Sequence, residues 1–161
     1  MTVLENVMVG CHTKTSAGLL DAVFKTPKAK KEHEASLEKC RQVLKFMGID
    51  HLENVLASSL PYGDQRRLEI ARAMVADPQI LLLDEPAAGM NLTEKDALAD
   101  TILKIRDMGY TILIVEHNMK LVMKVCDHIC VLNHGNKLAE GIPEEIQNNP
   151  DVIKAYLGGT K

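Results

Sequence analysis

Val3, Leu4, Val7, Met8 and Cys11 recur at the spacing of one helix face, which predicts a short amphipathic helix at the start of the chain. Pro27 interrupts that pattern. Leu37, Cys40, Leu44 and Met47 then fall at i, i+3, i+7 and i+10, predicting a second helix that Gly48 closes in the position after the last turn. The first sixty residues therefore read as helical.

From residue 68 onward helical and strand patterns alternate. Leu68, Ala71 and Val75 share one helix face, and Ile80 to Leu83 follows as a run that is apolar at every position. Such a run predicts a parallel strand covered by helices on both faces. Thr93-Glu94-Lys95-Asp96 reads as a capping box opening a helix with Leu98, Ile102 and Ile105 inward, ended by Gly109. Thr111 to Val115 is a second apolar strand, followed by a short helix around Met119 to Val125. Ile129 to Leu132 and Lys137 to Glu140 are predicted to pair as a hairpin across Asn133-His134-Gly135-Asn136, and the chain closes in helix. Strands alternating with helices predict an α/β sheet with its ligand at the carboxyl ends of the parallel strands.

The 161 residues suffice for one core, and 46% apolar with 25% charged residues excludes a disordered or fibrous chain. Nineteen basic against 22 acidic residues give a net charge of −3, so no nucleic-acid partner is expected. The apolar runs are far shorter than the roughly 20 residues that cross a bilayer, and Met1 to Asn6 lacks a signal-peptide pattern. A cytoplasmic location with reduced cysteines is the expectation. Cys126, His128, Cys130 and His134 match no closed zinc spacing, so no zinc site is expected and the two cysteines are read as small hydrophobes. Lys25, Lys28, Lys30 and Lys31 form a basic cluster, read as a solvated helix start rather than a lipid contact.

Three features carry chemistry. Ile80-Leu81-Leu82-Leu83-Asp84-Glu85-Pro86 delivers two adjacent carboxylates at the end of an apolar strand, where one can hold Mg²⁺ and the next can orient an attacking water. Leu60-Pro61-Tyr62-Gly63-Asp64-Gln65 leads into a helix running to about Ala76; its glycine admits close approach and its N-terminus favours phosphate. His117, in Val115-Glu116-His117-Asn118, points into the same crevice as Asp84 if the two strands are neighbours.

In order and spacing these motifs resemble the ATP-binding-cassette (ABC) family of transporter ATPases over nearly the whole chain. Residues 60 to 65 resemble its signature motif, usually Leu-Ser-Gly-Gly-Gln, and Ile80 to Glu85 its Walker B strand with the catalytic glutamate. Ala87-Ala88-Gly89-Met90-Asn91 resembles the D-loop, and His117 the switch histidine. Leu68 to Arg72, Ala87 to Asn91 and the tail Asn149 to Gly158 are similar to the ATP-binding subunits of branched-chain amino-acid importers. The resemblance implies ATP and Mg²⁺ as cofactors, with Asp84 helping to hold Mg²⁺, Glu85 polarising water and His117 contacting the γ-phosphate. It implies that Leu60, Tyr62, Gly63, Asp64 and Gln65 close over ATP held by a second cassette subunit. It also implies transmembrane permease subunits as partners, at the inner face of the cell membrane.

The family's Walker A loop, G-x-x-x-x-G-K-[ST], does not occur in the sequence; Gly10-Cys11-His12-Thr13-Lys14-Thr15 lacks the second glycine and follows a helical pattern. The glutamine loop, expected just before Thr2, is not seen either. The expectation is an α/β P-loop-type cassette, incomplete at its N-terminus. Residues 1 to 76 form a helical signature subdomain, and residues 77 to 161 form the later part of the ATPase core with a helical tail. Alone it should not hydrolyse ATP, because water activation requires ATP already held in line, and an apolar sheet edge along Ile80 to Leu83 or Ile112 to Val115 should promote aggregation. Pro61 replaces the usual serine, Asn91 a frequent aspartate, and Asp64 places a carboxylate at the helix start. Two alternatives stand beside this reading: a non-catalytic module lending its signature to a partner's ATP, and a zinc-binding regulator built on Cys126, His128 and Cys130.

Overall fold

A computed structural model describes residues 1–11 and 27–156, the side chain of Lys28 excepted. His12 to Thr15 of the glycine-containing hexapeptide, Lys25 and the tail beyond Tyr156 lie outside the described residues. The elements are α1 (Val3–Cys11), α2 (Pro27–Phe46), two short 3₁₀ turns (Asp50–Leu52 and Ala57–Ser59), α3 (Tyr62–Met74), β1 (Ile80–Asp84), α4 (Leu92–Asp107), β2 (Thr111–Val115), α5 (Met119–Val125), β3 (Ile129–Asn133), β4 (Asn136–Gly141), α6 (Pro143–Gln147) and α7 (Pro150–Tyr156).

Helix α1 buries Val3, Val7 and Cys11, one residue per turn, as its periodicity requires. Thr2 and Glu5 cap it reciprocally: the Thr2 amide donates to Glu5 Oε2 (2.8 Å) and the Glu5 amide to Thr2 Oγ1 (3.2 Å). Its far end lies against α3 with no room for a side chain at Gly10, where a Cβ would collide with the Arg72 carbonyl and meet Val75 Cγ1 at 2.6 Å. Helix α2 is described from Pro27, a residue whose missing N–H costs nothing in a first helical turn. Gly48 takes the left-handed conformation (φ 72°) that ends α2, as expected.

β1 and β2 pair in parallel, with Ile80 opposite Thr111 and Asp84 opposite Val115. β3 and β4 pair antiparallel through a two-residue turn in which His134 (φ 46°) and Gly135 (φ 79°) are both left-handed, the geometry favoured by hairpins. The larger apolar cluster runs from Val3 on α1 through Cys40, Leu44, Leu68, Leu81, Leu83 and Ile102 to Val125 on α5. A smaller one joins Val122, Ile129, Val131, Ile146 and Val152 beneath the hairpin.

Three expectations need correction. Helix α4 is capped by Asn91 and not by Thr93: Asn91 Oδ1 accepts from the Glu94 amide (3.0 Å) while Glu94 Oε2 accepts from the Asn91 amide (2.8 Å). Thr93 falls inside the first turn. Cys130 is exposed, because alternation along β3 turns it away from Ile129 and Val131, and Cys126 is half-buried. The strand β1 is covered on one face only: Leu81 and Leu83 are buried, whereas Ile80 is 55% and Leu82 68% exposed, beside Leu113 at 58% and Val115 at 59% on β2. The unsatisfied apolar surface is thus a sheet face rather than solely an edge.

Burying one aliphatic side chain is worth about 1.5–3 kcal/mol, so these four leave a strong drive toward any apolar partner. The isolated chain should therefore scatter light and bind an apolar dye in a concentration-dependent way. The double change Leu82→Lys with Leu113→Glu, which sets opposite charges across a paired register position, should suppress both without lowering the melting temperature. A monodisperse wild-type monomer that binds no dye would contradict this.

The cysteines supply a second test. Burial, and then the neighbouring Cys11, push the Cys40 thiol up to about 12, and burial also raises Cys126. A thiol whose value is raised carries less reactive thiolate at pH 8. Native labelling should modify Cys130 first, Cys126 more slowly, and Cys11 and Cys40 only on unfolding; equal rates at all four would refute the burial order.

Candidate functional site

The parallel register places the ends of β1 and β2 side by side, and the Glu85 amide extends the ladder by donating to the Val115 carbonyl (2.9 Å). Directly after Asp84 the chain turns: Glu85 adopts φ 43°, a left-handed conformation that costs a non-glycine residue about 1–3 kcal/mol. The turn is closed by the Ala88 amide on the Glu85 carbonyl (3.1 Å) and the Met90 amide on the Ala87 carbonyl (3.3 Å). His117 Nδ1 lies 3.3 Å from Glu85 Oε1, with both side chains mostly exposed. Asp84, Glu85 and His117 are therefore brought to one end of one sheet, as the sequence reading required.

Leu60 is buried and anchors the segment that enters α3. Pro61 stands at the N-cap without a side-chain hydrogen bond, its carbonyl accepting from the Asp64 and Gln65 amides at 3.0 Å each. Gln65 Nε2 reaches back to the Leu60 carbonyl (2.8 Å), and the Asp64 carboxylate is drawn to Arg67 Nη1 (3.2 Å). Tyr62 is half exposed; its hydroxyl accepts from Arg66 Nε (3.1 Å), and the guanidinium carbon lies 5.3 Å from the ring centre. A hydrogen bond to Glu69 (2.6 Å), with Tyr62 adding to it, raises Arg66 above its usual value.

The segment Ala88, Gly89, Met90 and Asn91 packs onto this helix start. Gly89 has φ 71°, and a Cβ there would stand 3.1 Å from the Tyr62 ring; a Cβ on Gly63 would stand 3.2 Å from Glu94 Oε1. Met90 is buried beneath and Asn91 caps α4. Arg66 and Glu69 also line a cleft of about 110 Å³ with Asp84 and Pro86, so the helix that follows the 60–65 segment shares a surface with the end of β1.

One residue of the site was not singled out from sequence. Glu116, half-buried between Val115 and His117, accepts from the Ala87 amide through Oε1 (3.0 Å) and from the His117 and Asn118 amides through Oε2 (3.0 and 3.1 Å). A carboxylate immediately before a strand-end histidine is the signal that could have found it. Among the described residues, no group of three His, Cys, Asp or Glu side chains is disposed to hold a metal by itself. No helix among them is long and apolar enough to cross a membrane.

Comparison with known proteins agrees with the geometry. The family described as "ABC transporter" matches residues 1–88, and the one described as "Branched-chain amino acid ATP-binding cassette transporter" matches residues 136–161. The chain is 50% identical over 159 residues to the high-affinity branched-chain amino acid transport ATP-binding protein LivG of Salmonella typhimurium, covering 98% of this chain and 62% of that protein. It is 47% identical to the corresponding protein BraF of Pseudomonas aeruginosa, again over 62% of the relative's length. Among solved structures it resembles an ATP-binding cassette of an ABC transporter in its ADP conformation, with TM-score 0.79 and 31% identity over 98% of this chain and 63% of that one. The chain thus spans less than two thirds of the relatives it matches, and its fold is that of a partial cassette. With one family match alone spanning more than half of its residues, the chain belongs to the ABC transporter family.

Proposed function

We propose that this chain carries the water-activating and partner-facing parts of an ATPase that energises import of branched-chain amino acids. The observation that carries the reading is the convergence of Asp84, Glu85 and His117 at the carboxyl ends of two hydrogen-bonded parallel strands. The substrate class follows from the names of its relatives.

Mg²⁺ takes hard oxygen ligands and is commonly held by one or two carboxylates together with substrate phosphates. Asp84, exposed at its strand end, suits that mode. When bound, Mg²⁺ supplies neutralisation of charge on the transferred phosphoryl oxygens. Glu85, held in its left-handed turn, orients the attacking water and accepts hydrogen bonding from it. With Nδ1 of His117 beside Glu85, Nε2 is the ring nitrogen left to face a γ-phosphate oxygen, to which it donates as the imidazolium, the form in which both nitrogens carry protons. Leu60, Tyr62, Gly63, Asp64 and Gln65 present the α3 N-terminus to ATP held by a second cassette, with Ala88 to Asn91 at the same contact. Residues 1–76 act as the helical signature part and residues 77–161 as the later core, the former relaying closure to transmembrane permease subunits. The assembled site sits at the cytoplasmic face of the membrane.

The test compares this chain alone with the chain joined to the preceding, Walker-A-bearing segment of a LivG relative. The chain alone should neither bind nor hydrolyse ATP. The completed cassette should hydrolyse it, and Glu85→Gln should lower kcat by about 10²–10⁴, the range for loss of a general base. Hydrolysis by the chain alone, or a completed cassette indifferent to Glu85→Gln, would overturn the reading. Activation of a Walker-A-bearing partner by a chain that itself contributes no hydrolysis would favour the signature-only alternative.

A further inference from the structure

We infer that Glu116 is a positioning residue that locks the loop carrying His117 to the turn that begins at Ala87. Its two oxygens serve different parts of the chain. Oε2 gathers the amides of His117 and Asn118, which follow it directly, while Oε1 reaches 29 residues back along the sequence to the Ala87 amide. Three N–H donors on one carboxylate make charge-assisted bonds, roughly twice as strong as neutral ones. They also shield a negative charge that would otherwise stand bare beside a phosphate site.

Both ends of the linked segments are themselves fixed. Asn118 Oδ1 accepts from the Leu121 amide (3.1 Å) and so caps α5. The turn starting at Ala87 ends at Asn91 in the capping box of α4. Between them, Gly89 lies under the Tyr62 ring at the start of α3. A displacement of the His117 loop is therefore carried through Glu116 to the turn and to the surface around Tyr62. The coupling role rests on reading this sheet end as a phosphoryl-transfer site; the clamp itself does not, so its test uses no nucleotide.

The isosteric change Glu116→Gln offers one carbonyl oxygen and one amide group in place of two acceptors. The carbonyl satisfies two donors if it faces His117 and Asn118, which sets the new NH₂ against the Ala87 N–H. Amide hydrogen exchange read by NMR on the whole chain should then rise at least about tenfold at Ala87, matching loss of one charge-assisted bond. His117 and Asn118 should keep their protection, and the Ala87 amide proton should shift upfield. In Glu116→Ala all three amides should accelerate, with those of β1 and β2 unchanged. Unaltered exchange at Ala87 in both variants would overturn the proposal. So would acceleration spread equally over β1 and β2, because that would mark Glu116 as a contributor to global stability only.

Discussion

The parallel pairing of β1 with β2 is the interaction on which the remainder of the site depends. Its register sets Asp84 opposite Val115, and the next residue on each strand then falls at the same end of the sheet. Because side chains alternate along a strand, a slip of one position would invert which residues face the core and carry the carboxylates away from His117. Leu81 and Leu83, buried in the main cluster, oppose that slip energetically. The left-handed turn at Glu85 is tolerated only because both neighbouring segments are bonded in place: the Glu85 amide to Val115, the Ala88 amide to Glu85, and the Ala87 amide to Glu116.

Much of this was legible in the residues. Apolar runs of four and five bounded by turns located β1 and β2, and helical periodicity located α1, the inward face of α4 and α5, because both signals are local consequences of which side chains must leave water. The convergence of Asp84, Glu85 and His117 was legible only on the condition that the strands be neighbours; spacing alone does not dictate pairing. The cap of α4 was misassigned because Thr93-Glu94-Lys95-Asp96 satisfies the sequence rule for a capping box as well as Asn91 to Glu94 does. The deciding factor is where the turn beginning at Ala87 releases the chain. Glu116 escaped notice because its partner Ala87 is remote in sequence, and a backbone amide leaves no mark in the residue pattern.

The one-sided burial of the sheet connects the fold to the functional reading. An apolar run with both faces hydrophobic was read as doubly covered, and the residues at 80, 82, 113 and 115 retain that composition while standing open in this chain. Parallel sheets are covered on both faces almost without exception. The same strands that hold the chemical residues therefore present a surface suited to further polypeptide, in keeping with a chain that matches 62% of its relatives' length. At the other side of the site, Gly89 under Tyr62 and Gly63 beside Glu94 are closely approached by those side chains, so the segment after Glu85 and the start of α3 form one continuous surface.

The central claim is that the strand-end register brings Glu85 and His117 together. It is tested most directly by the scalar coupling transmitted across the hydrogen bond from the Glu85 amide nitrogen to the Val115 carbonyl carbon, measured by NMR on isotopically labelled chain. The account predicts a resolved coupling between those two nuclei, as their 2.9 Å N···O separation requires. A coupling from Glu85 to a different carbonyl, or none while the other β1–β2 couplings are present, would contradict it.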